Sequence, residues 1–419
     1  KALIVLLSLL NPFNKMIPYS KEISLIALLF LLNACNPFSS HKKFVLLSAS
    51  ESQIGFNNQL VENDSLNYFT YAYMYMGGGV SIGDINNDQL PDIYFTGNMV
   101  PNKLYLNKGN MIFEDISDAA GVAGDHRWYT GTTMIDINND GLLDIYVSVS
   151  GKFAPRTNQL FINNGDLTFT ESAANYGLDA EEEIIQTTFF DYDQDGDLDA
   201  FLANYPSTSF RTPNIKYQYS KYTKDFEKSD HLLEQQADGT FKDVTEAAGI
   251  LNFGLAISAS IADFNNDGLE DIYVSNDFST PDFLYLNNGD GTFTDKIKES
   301  TNQTAFYGMG TDAADINNDG LIDLMQVDMA AQDNRRQKAN MASMNPELFW
   351  STVNAGFHHQ YMYNTLQLNR GTVNGTPIFS NIAFAAGVAS TDWSWCPLFA
   401  DFDNDGHKDL FISNGTRKE

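Results

Sequence analysis

One nine-residue acidic pattern recurs six times along the 419-residue chain, and this repetition limits the folds that the chain can adopt. Each copy begins and ends with Asp, carries Asp or Asn at position 3 and Asp at position 5, and five copies have Gly at position 6. The first aspartates are 52, 55, 72, 52 and 86 residues apart, so a unit repeats with insertions in its third and fifth intervals. A repeat of roughly fifty residues is typical of a propeller or a solenoid. The six copies span residues 84–92, 136–144, 191–199, 263–271, 315–323 and 401–409.

The segments around each acidic loop have the composition of short β-strands. Apolar runs such as 144–150 follow the loop directly and predict buried strands. Segments such as 282–289 come next and end in Asn-Gly, which favours a hairpin. Another strand returns at 167–170, 239–242 and 291–294, and a glycine-rich strand, 77–83 in the first unit, enters the next acidic loop. Four strands per repeat predict the blade of a β-propeller, so the expected fold class is all-β.

The predicted domains follow from these repeats. The β-propeller should occupy residues 44–419, with inserts at 205–236 and 329–370. Hydrophobic residues make up 43% of the chain, which is enough to build a large core. Residues 1–34 are expected to be upstream sequence and a lipoprotein signal peptide, and residues 35–43 a tether.

The N-terminal region has the features of a bacterial export signal. Lys21 precedes an apolar run, and residues 32–35 resemble a lipobox that ends at Cys35. The resemblance implies cleavage before Cys35, acylation of this residue, and an exported protein that is lipid-anchored at the bacterial outer membrane or cell surface. An ordinary signal peptide with an incidental cysteine is the alternative. Both apolar stretches of this region are shorter than the roughly 20 residues that a membrane-spanning helix needs. The second cysteine, Cys396, is predicted to be a small buried hydrophobic residue.

The spacing of oxygen-bearing side chains in each acidic loop suits one hard cation. Side chains at positions 1, 3, 5 and 9 and a backbone carbonyl at position 7 can converge on Ca²⁺, while Gly at position 6 allows the sharp turn. Magnesium demands a tighter octahedron, and zinc favours His or Cys, which these positions lack. The sequence therefore predicts up to six calcium sites. Their ligands are Asp84, Asn86, Asp88 and Asp92; Asp136, Asn138, Asp140 and Asp144; Asp191, Asp193, Asp195 and Asp199; Asp263, Asn265, Asp267 and Asp271; Asp315, Asn317, Asp319 and Asp323; and Asp401, Asp403, Asp405 and Asp409.

A metal-free turn and an EF-hand are the two alternatives to a calcium loop of a propeller. Asp, Asn and Gly are ordinary turn formers, so side-chain hydrogen bonds alone can close such hairpins, although six copies with one ligand spacing favour a metal. An EF-hand requires Glu at position 12 between helices, and here position 12 lies in a predicted strand in every copy. The first loop has Gln89 at position 6 and Pro91 at position 8 and should bind calcium most weakly. The third and sixth loops carry four carboxylates each and should bind it most tightly. The residues at position 12 are Phe95, Val147, Leu202, Val274, Gln326 and Ile412.

The charge balance of the chain restricts its partners. Against 25 Lys and Arg residues stand 54 Asp and Glu residues, which gives a net charge of -29. Repulsion from phosphate groups excludes nucleic acid as a partner and makes an anionic membrane surface a poor one. Any attachment to a membrane should therefore depend on the lipid anchor alone.

The six repeats resemble the FG-GAP/VCBS family, whose calcium-loop blades form the seven-bladed propeller of integrin α-subunits. The resemblance covers residues 44–419. With its lipobox and inserts, the chain is similar to Bacteroidota surface lipoproteins with VCBS repeats, in which an ASPIC/UnbV-type domain often follows the propeller. Six loops where seven blades are implied suggest that this chain is a fragment that lacks a blade and any downstream domain.

Two classes of function remain open. A non-catalytic binding or scaffold module for a protein or glycan is favoured, because face loops of a propeller are free to recognise ligands. The alternative is a polysaccharide-active lyase or hydrolase. Ser81 lies in a Gly-x-Ser-x-Gly string but is followed by an acidic loop instead of the helix that a nucleophile elbow requires. His358 and His359 lie in an aromatic insert that suits packing better than metal or sugar binding; its rings include Trp350, Phe357, Tyr361 and Tyr363.

Overall fold

The computed structural model describes residues 44–125, 127–206, 219–220, 222–278, 280–339 and 346–415. The chain divides into two units, residues 1–46 and 47–419. The described residues of the first unit, 44–46, are exposed and form no helix or strand. The predicted signal peptide, the lipidation site Cys35 and the tether lie outside the described residues.

Short antiparallel sheets follow one another along the second unit, and each contains one acidic loop. Blades 1 to 4 are the sheets β1–β4, β5–β8, β9–β12 and β13–β16; blade 5 is β18, β19, β21 and β22; and β23 and β24 form blade 6. A small parallel pair, β17 and β20, accompanies blade 5. The strands are β1 (Val80–Gly83), β2 (Asp92–Phe95), β3 (Lys103–Asn107), β4 (Phe113–Asp115), β5 (Trp128–Ile135), β6 (Asp144–Ser150), β7 (Gln159–Asn163), β8 (Phe169–Glu171), β9 (Ile184–Phe190), β10 (Asp199–Asn204), β11 (His231–Gln235), β12 (Phe241–Asp243), β13 (Ala256–Ala262), β14 (Asp271–Asn276), β15 (Phe283–Asn287), β16 (Phe293–Asp295), β17 (Thr304–Ala305), β18 (Thr311–Ala314), β19 (Asp323–Gln326), β20 (Gln360–Tyr361), β21 (Thr365–Val373), β22 (Thr376–Asn381), β23 (Ser394–Ala400) and β24 (Asp409–Asn414).

Helices in the described part of the chain are short. One helical turn follows the fourth strand of each of the first five blades, and in four of these turns the residue after the last helical residue is a glycine with positive φ. Glycine adopts this left-handed conformation without the steric cost of a Cβ atom, so it ends the turn cleanly. The helices are α1 (Ala49–Ser52), α2 (Ser117–Ala120), α3 (Ala173–Tyr176), α4 (Thr245–Ala248), α5 (Ile297–Ser300), α6 (Asn334–Ala339), α7 (Pro346–Asn354) and α8 (Ala383–Ala386), with 3₁₀ turns at Ala72–Tyr75 and Phe226–Lys228.

The hydrophobic core lies between successive blades. The first strands β1, β5, β9, β13, β18 and β23 adjoin one another in chain order. Leu104 of blade 1 shares an apolar cluster with Ile145 and Phe161 of blade 2, and Phe201 of blade 3 shares another with Val274 of blade 4. Sheets that pack face to face around their first strands form a β-propeller, which confirms the predicted fold class.

Several details differ from the sequence-based predictions. The fourth strands of blades 2, 3 and 4 begin two residues later than expected, because Leu167, Gly239 and Gly291 have positive φ and belong to the preceding turn. Both predicted inserts extend too far, since 231–235 form β11 and 365–370 lie in β21. The residues at loop position 12 lie in strands in all six copies, as predicted.

The prediction that Cys396 is buried is wrong. Cys396 is exposed, while its neighbour Pro397 is buried. Strand alternation places Cys396 on the same face of β23 as Leu398, and this face is exposed. A hydrophobic residue type therefore does not guarantee burial on the last described blade.

Candidate functional site: acidic loops and the opposite face

Each acidic loop connects the first and second strands of a blade through two residues in the left-handed conformation. Position 4 has a φ between 57° and 62° in all six loops, and the five glycines at position 6 have φ between 83° and 97°. In the first loop Gln89 occupies position 6 with a φ of 70°. A side chain is strained in this conformation, so the first loop has the expected fold at an energetic cost that the others avoid.

The side chains of the loop accept hydrogen bonds from its own backbone. In the second loop Asp136 accepts from the N–H of Asp140 at 3.0 Å and of Gly141 at 2.8 Å, and Asp140 accepts from Leu142 at 2.9 Å. The same three bonds recur in the other five loops. These bonds hold the oxygen atoms of positions 1 and 5 on the inner side of the turn, and carboxylate oxygens keep further lone pairs for a cation.

Two loops gather three carboxylates into a group that could hold a metal ion. Oxygen atoms of Asp191, Asp193 and Asp195 lie within 4.8 Å of one another, as do those of Asp401, Asp403 and Asp405. These are the third and sixth loops, for which the sequence predicts the tightest binding. An all-oxygen donor set with a flexible turn fits Ca²⁺. The residues present therefore fit the predicted ion at positions 1, 3 and 5.

The aspartate at position 9 has a different environment from the other predicted ligands. Asp271 has 0% exposed surface, and it accepts the N–H of Phe264 at 3.0 Å and of Asn287 at 2.8 Å. Burial raises the pKa of Asp271 to about 7, although these bonds oppose the shift. The position-9 residues of blades 1, 2, 3 and 5 accept both corresponding bonds, and Asp409 of blade 6 accepts the one from its own loop. Burial also raises the pKa values of Asp199 and Asp144, to about 7 and about 6. Position 9 thus connects the acidic loop to the third strand, a structural role that the spacing of the motif does not reveal.

A second recurring residue also escapes prediction from the sequence. The residue just before the third strand is Asn or Asp in the first five blades, and its side chain accepts a backbone N–H at or just after the C-terminal end of the second strand. In blade 4, for example, Asp282 accepts the N–H of Asn276 at 2.8 Å. Its signal is a single Asn or Asp before each predicted strand, which the variable loop lengths obscure. The five residues are Asn102, Asn158, Asp230, Asp282 and Asn364.

Adjacent blades are joined by the amide side chain at the end of the third strand. Asn287 of blade 4 donates to the carbonyl of Tyr192, which is position 2 of the third acidic loop, at 2.7 Å. Asn163, Gln235 and Asn369 donate in the same way to the preceding loops. The amide residue that ends the third strand therefore marks a contact between adjacent blades.

The ends of the second strands, opposite the acidic loops, bring together buried acids and phenols. Tyr205 and Asp277 directly follow β10 and β14, and Asp328 lies two residues after β19. Burial raises the pKa of Asp277 and of Asp328 to about 7, and the charge of Asp277 adds to the shift of Asp328. A six-residue strand is about 20 Å long, so this cluster is well separated from the acidic loops.

The remaining candidate residues have ordinary structural roles. Ser81 lies in β1, which confirms that it is not on a nucleophile elbow. His358 is buried with Nε2 at 3.1 Å from the Thr301 hydroxyl, and burial lowers its pKa to about 4, whereas His359 is exposed. The insert rings pack mainly against one another, as Tyr361 and Tyr363 do at 5.8 Å, although Trp350 is 57% exposed.

Residues 84–147 and 263–325 match the family model of the FG-GAP-like repeat. The chain carries FG-GAP-like repeats. It is similar to cartilage acidic protein 1 of Homo sapiens, with 28% identity over 235 residues that cover 55% of this chain and 33% of that protein. The Xenopus tropicalis protein of the same name is 28% identical over 206 residues, or 48% of this chain and 29% of that protein. The chain spans about a third of the length of these relatives.

Two solved structures show a weaker likeness to this FG-GAP repeat chain. An Agrocybe aegerita lectin, described as recognising non-reducing terminal N-acetylglucosamine, has a TM-score of 0.43 and 17% identity and aligns over 83% of this chain and 77% of its own. The V. cholerae biofilm matrix protein Bap1 has a TM-score of 0.32 and 13% identity over 60% of this chain and 34% of its own. At these scores neither structure carries an argument about function.

Among the described helices, none combines the length and hydropathy that crossing a membrane requires.

The ranking of the loops gives a testable prediction. Asp195→Ala in the third loop should reduce both the number of bound calcium ions and the stability more than Asp88→Ala in the first loop. Asp195 belongs to a three-carboxylate group next to a glycine, whereas Asp88 precedes the strained Gln89. Calcium titration and thermal melting of both variants would measure the difference. Equal losses in the two variants would show that the ranking is wrong.

Proposed function

We propose that this chain is a calcium-stabilised β-propeller that acts outside the cell as a non-catalytic binding or scaffold module. The observation that supports it most is the common geometry of six acidic loops, two of which gather three carboxylates within 4.8 Å. Bound calcium would relieve the repulsion between these carboxylates and fix the first and second strands of each blade. The described acidic loops then serve the fold, and recognition falls to loops at the opposite ends of the strands.

We further propose that another blade completes the ring, as the expected seven-bladed propeller requires. Val80 and Ile82 on blade 1 are 55% and 64% exposed, and the paired Leu398 and Phe411 on blade 6 are 47% and 51% exposed. Apolar sheet faces of this kind are covered by a neighbouring blade at the other junctions of this propeller. A closed six-bladed ring in the structure of a longer homologous chain would contradict this proposal.

The ligand is proposed to be a protein or a glycan, because the net charge of -29 disfavours nucleic acid. Calcium-loaded protein should be screened on a glycan array and used in a pull-down against surface proteins. The matched control is the same protein after EGTA treatment, which separates ligand binding that needs the folded propeller from adhesion to the support. A calcium-loaded protein that retains neither glycan nor protein above the control would contradict the binding role.

A polysaccharide-active enzyme is the alternative, and one observation favours it. Asp277 and Asp328 form a pair of buried acids away from the acidic loops, and burial raises the pKa of each to about 7. A carboxyl group with such a pKa suits general acid catalysis. Turnover of a polysaccharide that is lost in Asp277→Asn and in Asp328→Asn would support the enzyme over the binding module.

The proposed location is the bacterial outer membrane or cell surface, with the lipid on Cys35 as the anchor. Two or more acyl chains would be needed for stable attachment, since each buried methylene contributes about 0.8 kcal/mol. Cys35→Ser should release the protein from the membrane fraction or leave its signal uncleaved, while Cys396→Ser should not change its location. Labelling with a clickable fatty acid followed by fractionation tests both variants. Label retained on Cys35→Ser, or an unlabelled and soluble wild-type protein, would overturn the anchor.

A further inference from the structure

The segment of residues 71–76, here called the plug, crosses the face opposite the acidic loops. Before it, Asn58 donates to the side chain of Asn98 at 2.6 Å, at the end of the second strand of blade 1. Within it, Tyr71 contacts Trp128 of blade 2 edge to face at 5.3 Å, and Met74 is fully buried in the same cluster. The plug therefore starts over blades 1 and 2.

The plug continues to blades 3 and 4 through one side chain. The hydroxyl of Tyr73 donates to Asp277 Oδ2 and also contacts the hydroxyl of Tyr205, whose ring centroid lies 4.3 Å from that of Tyr73. Tyr73 and Met76 also pack against a cluster that includes Leu255. The tip of the plug thus contacts residues of blades 3 and 4 on this face.

The groups beneath Tyr73 have the character of a polar ligand pocket. Asp277 is 1% exposed and accepts hydrogen bonds from the Tyr73 hydroxyl, from the Tyr205 hydroxyl at 3.4 Å and from the Phe278 N–H at 2.7 Å. Within the described part of the chain, no ion pair involves Asp277. A buried carboxylate without a basic partner is costly unless hydroxyl or N–H groups satisfy it, so this position requires a donor.

Aromatic rings surround the same carboxylate. Tyr205 is buried beside it, and the rings of Phe278 and Tyr307 contact each other edge to face at 5.5 Å. The charges of Asp277 and Asp328 both contribute to raising the pKa of Tyr307, so all three lie in one electrostatic neighbourhood. Carboxylates next to aromatic faces combine acceptors for hydroxyl groups with a flat apolar surface, which matches the alternating O–H and C–H faces of a neutral sugar.

The backbone of the plug is weakly held by itself. Its only regular structure is one 3₁₀ turn, with hydrogen bonds from Met74 to Tyr71 at 3.2 Å and from Met76 to Tyr73 at 3.1 Å. Gly77 follows with a φ of 95°, and its carbonyl accepts from Asn98 Nδ2 at 3.0 Å, so the end of the plug is tied to blade 1. The position of the plug therefore depends on its side-chain contacts, among which the Tyr73 hydroxyl is the one that reaches Asp277.

We infer that Asp277, Tyr205 and the neighbouring aromatic rings form a pocket for a neutral, hydroxyl-rich glycan, and that Tyr73 of the plug occupies this pocket until a ligand displaces it. The Tyr73 hydroxyl then takes the place of a sugar hydroxyl. This inference rests on the proposed binding function and names its ligand class and its site. The apparent affinity for glycan then equals the intrinsic affinity multiplied by the fraction of molecules in which the plug is open.

The test compares Tyr73→Phe with Tyr75→Phe in the full chain. Both variants lose one phenol hydroxyl from the same turn, but the Tyr75 hydroxyl donates to exposed Glu62 at 2.8 Å and does not reach Asp277. Hydrogen exchange of residues 71–76 should be at least tenfold faster in Tyr73→Phe than in the wild type, with no change in the blade strands, and unchanged in Tyr75→Phe. Equal exchange rates in all three proteins would contradict the inference that the Tyr73 hydroxyl holds the plug in place.

Glycan binding is the second readout. On an array of neutral oligosaccharides, Tyr73→Phe should bind at least tenfold more tightly than the wild type and Tyr75→Phe, and Asp277→Asn added to Tyr73→Phe should abolish the gain. Absence of any gain would overturn the glycan pocket. If a protein partner bound equally well to the wild type and all variants, the proposed binding function would stand, but the Asp277 pocket would not be its site. The binding function and the glycan pocket can therefore fail separately.

Discussion

Removal of calcium should lower the melting temperature of the protein by about 7 °C. A site held at a free calcium concentration one hundred times its dissociation constant contributes about 2.7 kcal/mol, so two such sites contribute about 5 kcal/mol. For a domain of this size that free energy corresponds to a shift of this order. The third and sixth loops, with three clustered carboxylates each, are expected to supply most of the effect.

Thermal melting in EGTA, followed by addition of excess calcium or excess magnesium, measures this effect. Calcium should restore the original melting temperature, and magnesium should restore it poorly because it demands a smaller and more regular ligand shell. An unchanged melting curve in EGTA, on protein shown to be metal-free, would leave side-chain hydrogen bonds as sufficient to close the loops.

The second large effect is expected from Asp271→Ala, which should destabilise the protein by about 3–5 kcal/mol. The substitution leaves the buried N–H groups of Phe264 and Asn287 without an acceptor, and each unsatisfied group costs about 1–3 kcal/mol. Denaturant unfolding in EGTA measures this loss, because these two bonds do not involve the ion and any contribution of Asp271 as a metal ligand is then absent.

Asp267→Ala is the matched control in the same loop. Asp267 at position 5 is exposed and accepts the N–H of Leu269 at 3.0 Å. This variant should lose stability mainly in the presence of calcium and little in EGTA, since its main role there would be to bind the ion. If Asp271→Ala cost no more than Asp267→Ala in EGTA, position 9 would be a metal ligand without the structural role assigned to it.

Much of the fold could be predicted from the sequence because each blade repeats the same local signals. The fixed spacing from Asp136 to Asp144 located one loop and the strand after it, and the other copies did the same. The different environment of the position-9 aspartates could not be predicted at this level. Spacing alone treats Asp136 and Asp144 as equivalent ligands, yet Asp144 has 0% exposed surface and bonds to a strand far along the chain. The difference depends on the packing of the third strand, which no local pattern encodes.

The contacts on the face opposite the acidic loops could not be predicted from the sequence either, because they join residues that are far apart along the chain. Tyr73 and Asp277 are 204 residues apart and meet because the plug crosses several blades. Neither residue belongs to a recurring motif: the positions equivalent to Asp277 in blades 1 and 2 are Asn98 and Ser150. The burial of Cys396 was predicted from its residue type. The prediction is wrong because the face of β23 that Cys396 occupies is exposed.

The most direct test of the calcium-stabilised propeller is an anomalous difference map from crystals grown in millimolar calcium. A calcium-stabilised propeller should show peaks inside the loops 191–199 and 401–409, about 2.3–2.6 Å from side-chain oxygens at positions 1, 3 and 5. The loop 84–92 should show a weaker peak or none. Clear density for all six loops without a calcium peak in any of them would contradict it.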